Sequence, residues 1–385
     1  MPEERSRAKP PTASDTVSLI DDLLRRAVEV GASDIHFEPT AGELLVKYRL
    51  DGVLNVVERL PKVIASNCIA RLKVLGGLLT YRTDIPQEGR IEVSAEGNAL
   101  VTDQRLAIFP TIHGQRAVVR LFYQDERRQD LEALGFGEAI VHQLRRFAAQ
   151  SQGLLLLTGP AGSGKSTTLA ALMRYILKTT PGRSVVTLED PVEIRIEGAT
   201  QVEITPHGEL TFPTALRSLL RQDPQCLMIG EIRDAETARI AIEASLTGHL
   251  LSTTMHSGSP AGALLRLLDM GLEPYQITSS VGSVLNQRLI RRLCDHCKEP
   301  IQDSECRAVG CDACLSTGFK GRVLVAEMIG LDSPLRRAIL DKADLEDIES
   351  LLAARGHQSM LGHAEQLITE GVTSRQEVNQ TFGMI

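Results

Sequence analysis

Nine consecutive residues have the types and the order that a phosphate-binding loop requires. They are Gly159, Pro160, Ala161, Gly162, Ser163, Gly164, Lys165, Ser166 and Thr167. Glycines let backbone N–H groups approach phosphate oxygens closely, and a helix that starts directly after them adds the positive end of its dipole. In this pattern the lysine supplies charge to the outer phosphates and the Ser166 hydroxyl binds Mg2+. The alternative is a glycine-rich turn that only joins two elements.

The elements on either side of this loop give the pattern its meaning. Four leucines, Leu154 to Leu157, predict a buried parallel strand before it. Apolar residues recur at helical spacing from Leu169 to Ile176 and predict a helix after it. A strand before and a helix after indicate a P-loop. ATP is the expected nucleotide, because the sequence lacks the Asn-Lys-x-Asp motif that reads guanine.

Carboxylates follow two further apolar segments. Val185 to Leu188 is followed by three acidic residues that end with Glu193, and Cys226 to Ile229 is followed by Glu231. Because the C-terminal ends of parallel strands line the ligand crevice of an α/β sheet, both glutamates are predicted catalytic residues. Glu231 has the Walker B arrangement, near magnesium and the attacking water. An acidic loop and a helix-initiating acid are the alternatives.

Other side chains are candidates by position alone. His256 ends a fourth apolar segment and is a candidate sensor of the γ-phosphate, although a lone histidine is as often a satisfied core or surface residue. Arg90, Arg105, Arg116 and Arg120 lie on or beside predicted strands of the N-terminal third. Solvated charge on a strand face is the ordinary interpretation of these arginines. The alternative is an arginine finger that reaches a neighbouring nucleotide.

Four of the seven cysteines form two Cys-x-x-Cys pairs with thirteen residues between the pairs. The pairs are Cys294 with Cys297 and Cys311 with Cys314. In a reducing compartment such pairs indicate metal before disulfide. Four thiolates form a closed, structural tetrahedral zinc site with no open position. Four free thiols are the alternative, and His296 and Cys306 are less favoured substitute ligands.

Length and charge limit the class of protein. At 385 residues the chain is expected to have two or three domains. A net charge of −7 and 3% aromatic residues argue against a nucleic-acid channel. No run approaches the roughly 18 apolar residues of a membrane helix, and Met1 to Ala13 contains charges and prolines where a signal peptide is apolar. The sequence therefore predicts a cytoplasmic protein.

Periodicity and turn signals divide the chain into six segments. They are a disordered lead (1–13), a small α+β domain (14–123), a linker (124–130), an α/β nucleotide-binding core (131–290), a tetracysteine module (291–330) and a C-terminal helical region (331–385). Asp51-Gly52 predicts a hairpin in the α+β domain. A continuous helix is expected from Leu131 to Phe147, and a short strand region from Gly318 to Leu331.

Several motifs resemble those of the secretion ATPases of type II secretion and type IV pilus assembly. Those in the second half are GPAGSGKSTT (Gly159 to Thr168), LEDPVE (Leu188 to Glu193), LTFPTALRSLLRQDP (Leu210 to Pro224), IGEIRD (Ile229 to Asp234) and GHLLSTTMH (Gly248 to His256). They correspond in order to the Walker A motif, aspartate box, Walker B motif and histidine box of that family. Upstream, ASDIHFEP (Ala32 to Pro39) and YRLDGVL (Tyr48 to Leu54) look like its N-terminal PAS-like module.

The resemblance implies a fold and a set of roles. It implies a RecA-like P-loop NTPase core behind a PAS-like α+β domain, working as a homohexamer with ATP and Mg2+. Glu231 corresponds to the residue near magnesium and Glu193 to the one that polarises water. His256, Arg105 and Arg120 match family positions, and arginines of the N-terminal module complete the site. Hydrolysis drives domain rotation that is passed to an inner-membrane platform protein.

Cysteine pairs similar to those here mark the assembly and secretion branch of the family, whereas retraction ATPases lack them. The chain departs from the family pattern at Asp223-Pro224-Gln225, usually Asp-Pro-Asp, and at Met255-His256-Ser257-Gly258, usually Leu-His-Thr-Asn. The long N-terminal docking domain of many members is expected to be absent.

These observations together predict a cytoplasmic, hexameric, Mg2+-dependent ATPase at the inner membrane that powers assembly of a pseudopilus or pilus. It is expected to hold Zn2+ and to have no nucleic-acid partner. The alternatives are a RecA-like nucleic-acid motor, a pilus-retraction ATPase of the same family and a nucleotide-gated scaffold with negligible turnover.

Overall fold

The computed structural model describes residues 13–91, 101–123, 129–204, 208, 210–301 and 305–383. The chain separates into two compact units, residues 1–125 and 126–385. The predicted lead lies outside the described residues except for residue 13, where the first helix begins, and residues 124–128 of the predicted linker also lie outside them. Each unit has its own sheet and its own hydrophobic core.

The N-terminal unit is a small α+β domain. Its elements are α1 (Ala13–Glu29), β1 (Asp34–Pro39), β2 (Glu43–Leu50), β3 (Val53–Pro61), α2 (Lys62–Leu75), β4 (Gln87–Ile91), β5 (Val101–Thr111) and β6 (Gly114–Tyr123). The strands form an antiparallel sheet in the order β3-β2-β1-β6-β5-β4. Apolar side chains of both helices and of alternating strand positions form its core.

The hairpin predicted at Asp51-Gly52 is confirmed. Asp51 has φ 49° and Gly52 has φ 90°, the two left-handed residues that a tight hairpin turn requires. The turn joins β2 to β3, which pair antiparallel. The sequence pattern also predicts a strand from Arg90 to Ala95, of which β4 contains Arg90 and Ile91, and residues 92–95 lie outside the described residues.

The C-terminal unit is an α/β domain followed by helices. Its elements are a 3₁₀ turn (Leu131–Leu134), α3 (Glu138–Ala148), β7 (Gly153–Thr158), α4 (Lys165–Thr179), β8 (Val185–Glu189), β9 (Thr200–Glu203), α5 (Phe212–Leu219), β10 (Cys226–Ile229), α6 (Ala235–Leu246), β11 (Leu250–Met255), α7 (Pro260–Asp269), α8 (Pro274–Ser280), β12 (Val281–Leu293), β13 (Glu299–Pro300), β14 (Cys306–Arg307), a 3₁₀ turn (Asp312–Cys314), β15 (Phe319–Gly330), α9 (Ser333–Leu340), α10 (Leu345–Ala354), α11 (Met360–Thr369) and α12 (Arg375–Phe382).

Seven strands of this unit form one mixed sheet in the order β15-β12-β7-β11-β10-β8-β9. All neighbours in it are parallel except β15, which pairs antiparallel with β12 at the edge. The apolar strands β7, β8, β10 and β11 are buried, with helices packed in a hydrophobic cluster on each face. Parallel strands that are buried on both faces have nearly continuous apolar sequences, as these four strands do.

The structure differs from the sequence prediction at two places. The helix expected from Leu131 to Phe147 is interrupted, because Gly135 adopts φ 87° after the 3₁₀ turn and α3 begins only at Glu138. The boundary expected at residue 290 falls inside β12, and residues 319–330 form a full strand of the seven-stranded sheet. Arginines interrupt the apolar pattern of β12, so periodicity alone did not reveal its length.

The C-terminal helices begin at well-formed caps. Asp332, Asp344, Ser359 and Ser374 each accept a hydrogen bond from the backbone N–H three residues ahead. Helices α11 and α12 pack their apolar side chains on β12 and β15. Within the described residues, no helix is both long enough and apolar enough to cross a membrane.

Candidate functional site

The loop between β7 and α4 has the backbone that a phosphate cradle needs. Gly159, Gly162 and Gly164 have φ angles of 137°, 74° and 90°. A side chain at position 159 would place its Cβ 2.2 Å from the carbonyl oxygen of Gln287, so only glycine fits there. Helix α4 starts at Lys165, and its free N–H groups and positive dipole end lie at the loop.

Gln287 holds this loop from β12 and was not predicted from the sequence. Its side chain is 1% exposed. Its Nε2 donates to the carbonyl of Ser163 at 2.8 Å, and its Oε1 accepts from the hydroxyl of Thr168 at 3.0 Å. Gln287 therefore joins the C-terminal part of the glycine-rich loop and the first turn of α4 to the sheet. Gln287 is 119 residues from Thr168 in sequence. The only signal that the sequence offered was a polar residue in the segment that forms β12.

Lys165 is held inside the loop. Its Nζ donates to the carbonyls of Gly159 and Pro160, each at 2.9 Å. Burial lowers the pKa of this ammonium, and the charges of Glu231 and Glu193 act in the opposite direction. Both carboxylates predicted from strand ends therefore act electrostatically on the P-loop lysine.

Glu231 lies two residues beyond the end of β10 and contacts a histidine and an arginine. Its Oε1 is 3.0 Å from Nε2 of His256, and its Oε2 accepts from Nε of Arg233 at 2.8 Å. Arg233 also lies 3.6 Å from a carboxylate oxygen of Asp190. His256 follows β11, the neighbour of β10 in the sheet. The structure thus brings the predicted Walker B acid and the predicted histidine into direct contact.

The carboxylates after β8 have different environments. Glu189 is the last residue of β8 and is buried, with its Oε1 accepting from the hydroxyl of Thr187 at 2.6 Å and from Nε2 of Gln201 at 3.1 Å. Burial raises the pKa of the Glu189 carboxyl. Glu193 instead lies in the exposed loop beyond the strand. Of these two residues, Glu193 has the freer side chain.

One cavity of about 480 Å3 joins these residues. The P-loop, Glu193, Glu231 and His256 line its polar part. Ser166, exposed in the first turn of α4, also lines it, as the predicted magnesium ligand must. Leucines from the 3₁₀ turn, α4, β12 and β15 line the apolar part, namely Leu134, Leu169, Leu289 and Leu324. A cavity lined by both charged and apolar side chains suits a nucleotide.

The predicted arginine fingers belong to the N-terminal unit, separate from the P-loop unit. Register places Arg105 opposite both Arg90 and Arg120, so three arginines form a row across β4, β5 and β6. Nε of Arg120 donates to Asp34 at 2.9 Å, and the Arg105 guanidinium lies 4.9 Å from the centre of the Phe122 ring. Both side chains are more than half exposed, at 65% and 53%. Their role toward a nucleotide stays a prediction.

Asp34 anchors the end of this row. Its carboxylate accepts from Ser33 and Arg120 and lies 3.2 Å from Nε of Arg49. Burial raises the pKa of the Asp34 carboxyl, but the bonds from Arg120 and Ser33 outweigh it and hold the pKa below its usual value. Arg116 lies outside the row, 3.1 Å from the Glu38 carboxylate and 3.0 Å from Nδ1 of His36.

The four paired cysteines converge in the segment between β12 and β15. Their sulfur atoms all lie within 4.8 Å of one another. The distance is 3.9 Å from Cys294 to Cys311, and 3.8 Å from Cys314 to both Cys297 and Cys311. Zinc in a tetrahedron of thiolates at about 2.3 Å sets the sulfurs about 3.8 Å apart. These three distances match that spacing, so the cluster is compatible with a zinc ion.

Backbone N–H groups point at these sulfurs. Gly310 donates to Cys297 at 3.3 Å, and Cys311 and Gly318 each donate to Cys314 at 3.2 Å. Such bonds stabilise thiolates, the form in which cysteine binds a metal. The substitutes considered from the sequence, His296 and Cys306, are not members of this cluster.

Comparisons with known proteins agree with this arrangement. Residues 12–380 match the family described as Type II/IV secretion system protein. The chain is 41% identical over 363 residues to the type II secretion system protein HxcR of Pseudomonas aeruginosa. The aligned region covers 94% of this chain and 76% of that protein. It is 37% identical over 377 residues to the type IV pilus assembly ATPase PilB of Thermus thermophilus, covering 93% of this chain and 42% of that protein.

The fold also has relatives among solved structures. The X-ray structure of the Legionella pneumophila ATPase DotB matches with a TM-score of 0.70 at 23% identity, covering 100% of this chain and 99% of that one. At this identity the likeness shows the fold alone, and it confirms an α/β P-loop ATPase fold with a mixed sheet. The match over nearly the whole chain, together with the identity to HxcR, shows that the chain belongs to the Type II/IV secretion system protein family.

Proposed function

We propose that this protein is a Mg2+-dependent ATPase. The observation that carries the proposal is the convergence of the P-loop, the Glu231–His256 pair and Glu193 around one cavity that leucines also line. Phosphoryl transfer needs little covalent chemistry from the protein, so positioned charges of this kind supply most of the catalysis. The family to which the chain belongs, and the relative named as a pilus assembly ATPase, support the same activity.

Each residue has a distinct role in this proposal. Lys165, now bonded to two carbonyls of its own loop, transfers its hydrogen bonds to the outer phosphates when ATP binds. Glu193, exposed beside the cavity, orients the attacking water and accepts its proton. His256 lies on Glu231 and faces the γ-phosphate, whose departure it reports.

Ser166 would bind Mg2+ through its hydroxyl, with the Glu231 carboxylate near the ion. When bound, the ion neutralises charge that develops on the β- and γ-phosphates. Cys294, Cys297, Cys311 and Cys314 hold Zn2+ in a closed, structural site, which stabilises the segment between β12 and β15.

We further propose the system that this activity serves. The protein acts as a homohexamer in the cytoplasm, peripheral at the inner membrane, and drives assembly of a type II secretion pseudopilus or a type IV pilus through a platform protein. Relatives named for type II secretion and for pilus assembly support both systems. The tetracysteine cluster favours the assembly and secretion branch over retraction. Arg105 and Arg120 complete the nucleotide site of a neighbouring subunit.

Steady-state ATPase assays test the proposal. The purified chain should hydrolyse ATP only with Mg2+, and Lys165→Ala should abolish turnover while the melting temperature changes little, because this lysine packs against little of the core. Wild-type turnover in Lys165→Ala contradicts the site. Stimulation by DNA indicates a nucleic-acid motor instead, and no turnover even as an oligomer indicates a nucleotide-gated scaffold.

A further inference from the structure

Two polar side chains face each other inside the nucleotide-binding sheet. Asn286 on β12 and Glu327 on β15 are partners in the strand register. They are 1% and 9% exposed. Nδ2 of Asn286 donates to Oε1 of Glu327 at 3.0 Å. A carboxylate is costly to bury unless it is hydrogen-bonded, so this pair needs a reason to be here.

The amide of Asn286 also reaches the loop that follows β11. The same Nδ2 donates to the carbonyl of Gly258 at 3.0 Å. Gly258 is two residues after His256, whose Nε2 lies 3.0 Å from Glu231. The carbonyl of His256 itself accepts from Arg266 at 3.0 Å. The loop that presents His256 is therefore held from one side by α7 and from the other by Asn286.

Glu327 fixes the orientation of Asn286 from behind. Its second oxygen accepts from the backbone N–H of Met360, the first residue of α11, at 3.1 Å. Nε2 of His357 lies 3.4 Å from the same oxygen. A carboxylate at a helix N-terminus is favoured by the helix dipole. Glu327 is thus tied to α11 through one oxygen and to Asn286 through the other.

The pair is not arranged for stability alone. Oδ1 of Asn286 is buried and has no hydrogen-bond partner among the described residues. Leaving a buried acceptor without a partner is unfavourable, and an apolar pair at these two positions avoids that cost. The amide nitrogen of Asn286 instead donates two hydrogen bonds, one to Glu327 and one to the Gly258 carbonyl in the loop of His256.

We propose that Asn286 and Glu327 are positioning residues for His256, anchored on the N-terminus of α11. They keep the carbonyl of Gly258, and with it the histidine, at the distance from Glu231 seen here. The expected effect on turnover rests on the ATPase function proposed above. The restraint of the His256 loop by Asn286 and Glu327 does not depend on that function. Loss of either side chain lets the loop of residues 256–259 move away from Glu231.

Hydrogen–deuterium exchange of the full-length protein tests the link independently of turnover. Asn286→Ala and the conservative Glu327→Gln should each speed exchange in peptides covering residues 256–262. The matched control is Glu377→Gln, because Glu377 is a buried carboxylate that also joins β12 to a C-terminal helix, through Arg291, and has no bond to this loop. Unchanged exchange at 256–262 in a folded Glu327→Gln protein overturns the proposal, whether or not Asn286→Ala folds.

Kinetics separate positioning from general loosening. Each variant should lower kcat roughly ten- to hundredfold and leave KM for ATP little changed, since a displaced group costs the transition state more than the ground state. In a His256→Ala background the further loss from Asn286→Ala should vanish, because the amide acts through the histidine. An equal loss in both backgrounds overturns the proposal. Absence of ATPase activity in the unsubstituted protein contradicts the proposed function instead, and exchange still decides the link.

Discussion

Replacement of Gln287 by leucine should weaken nucleotide binding without unfolding the protein. The substitution removes the 2.8 Å bond to the Ser163 carbonyl and the 3.0 Å bond from Thr168, and it keeps a similar volume in a site that is 1% exposed. Each neutral hydrogen bond contributes on the order of 1 kcal/mol, so the loop loses about 2 kcal/mol of restraint. If the whole of this roughly 2 kcal/mol destabilises the loop conformation that binds ATP relative to its other conformations, ATP affinity decreases by up to roughly 30-fold.

Titration with a fluorescent ATP analogue, beside a thermal melt, measures this effect. The matched control is Thr373→Val, which removes a single buried bond, from the Thr373 hydroxyl to the Arg291 carbonyl at 2.8 Å, elsewhere in the same unit. The control should lower the melting temperature and leave affinity unchanged. A folded Gln287→Leu protein that binds ATP as tightly as the parent chain refutes the reasoning that Gln287 preorganises the loop.

Three further predictions concern the acids, the cysteines and the arginines. Glu231→Gln and Glu193→Gln should each lower kcat by roughly a hundredfold with ATP affinity changed far less, and normal hydrolysis by Glu193→Gln makes that residue a loop carboxylate only. Metal analysis should find about one zinc per chain, lost in Cys311→Ser together with local stability, and a metal-free native protein contradicts the site. Mixing inactive Lys165→Ala and Arg120→Ala chains should restore some turnover if the arginine acts in trans, whereas no rescue in demonstrably mixed rings favours action in cis.

Much of the nucleotide site follows from short contiguous sequence patterns. The P-loop lies between a run of leucines and a helical repeat, and the structure has β7 and α4 at those places. The Asp51-Gly52 turn and the two cysteine pairs are equally local, since each depends on backbone preference or ligand spacing within a few residues. Such features can be predicted from sequence because residues that are close in sequence determine them.

Contacts between distant segments were not legible in the same way. Gln287 reads as a polar residue within a strand, and only the register of β12 beside β7 brings it to the P-loop. The antiparallel register of β12 beside β15 places Asn286 opposite Glu327. Glu231 and His256 were predicted separately, and their contact depends on β10 and β11 being neighbours.

Residue types and local spacing by themselves determined that this chain has a P-loop, a buried parallel strand before it and two cysteine pairs spaced for a four-thiol cluster. Only the tertiary structure decided which side chains hold the loop, which acid contacts the histidine and how far the sheet extends. The physical reason is the register of strand pairing. A slip of one residue turns every side chain of a strand to the other face of the sheet, so contacts between distant segments depend on a register that no local pattern specifies.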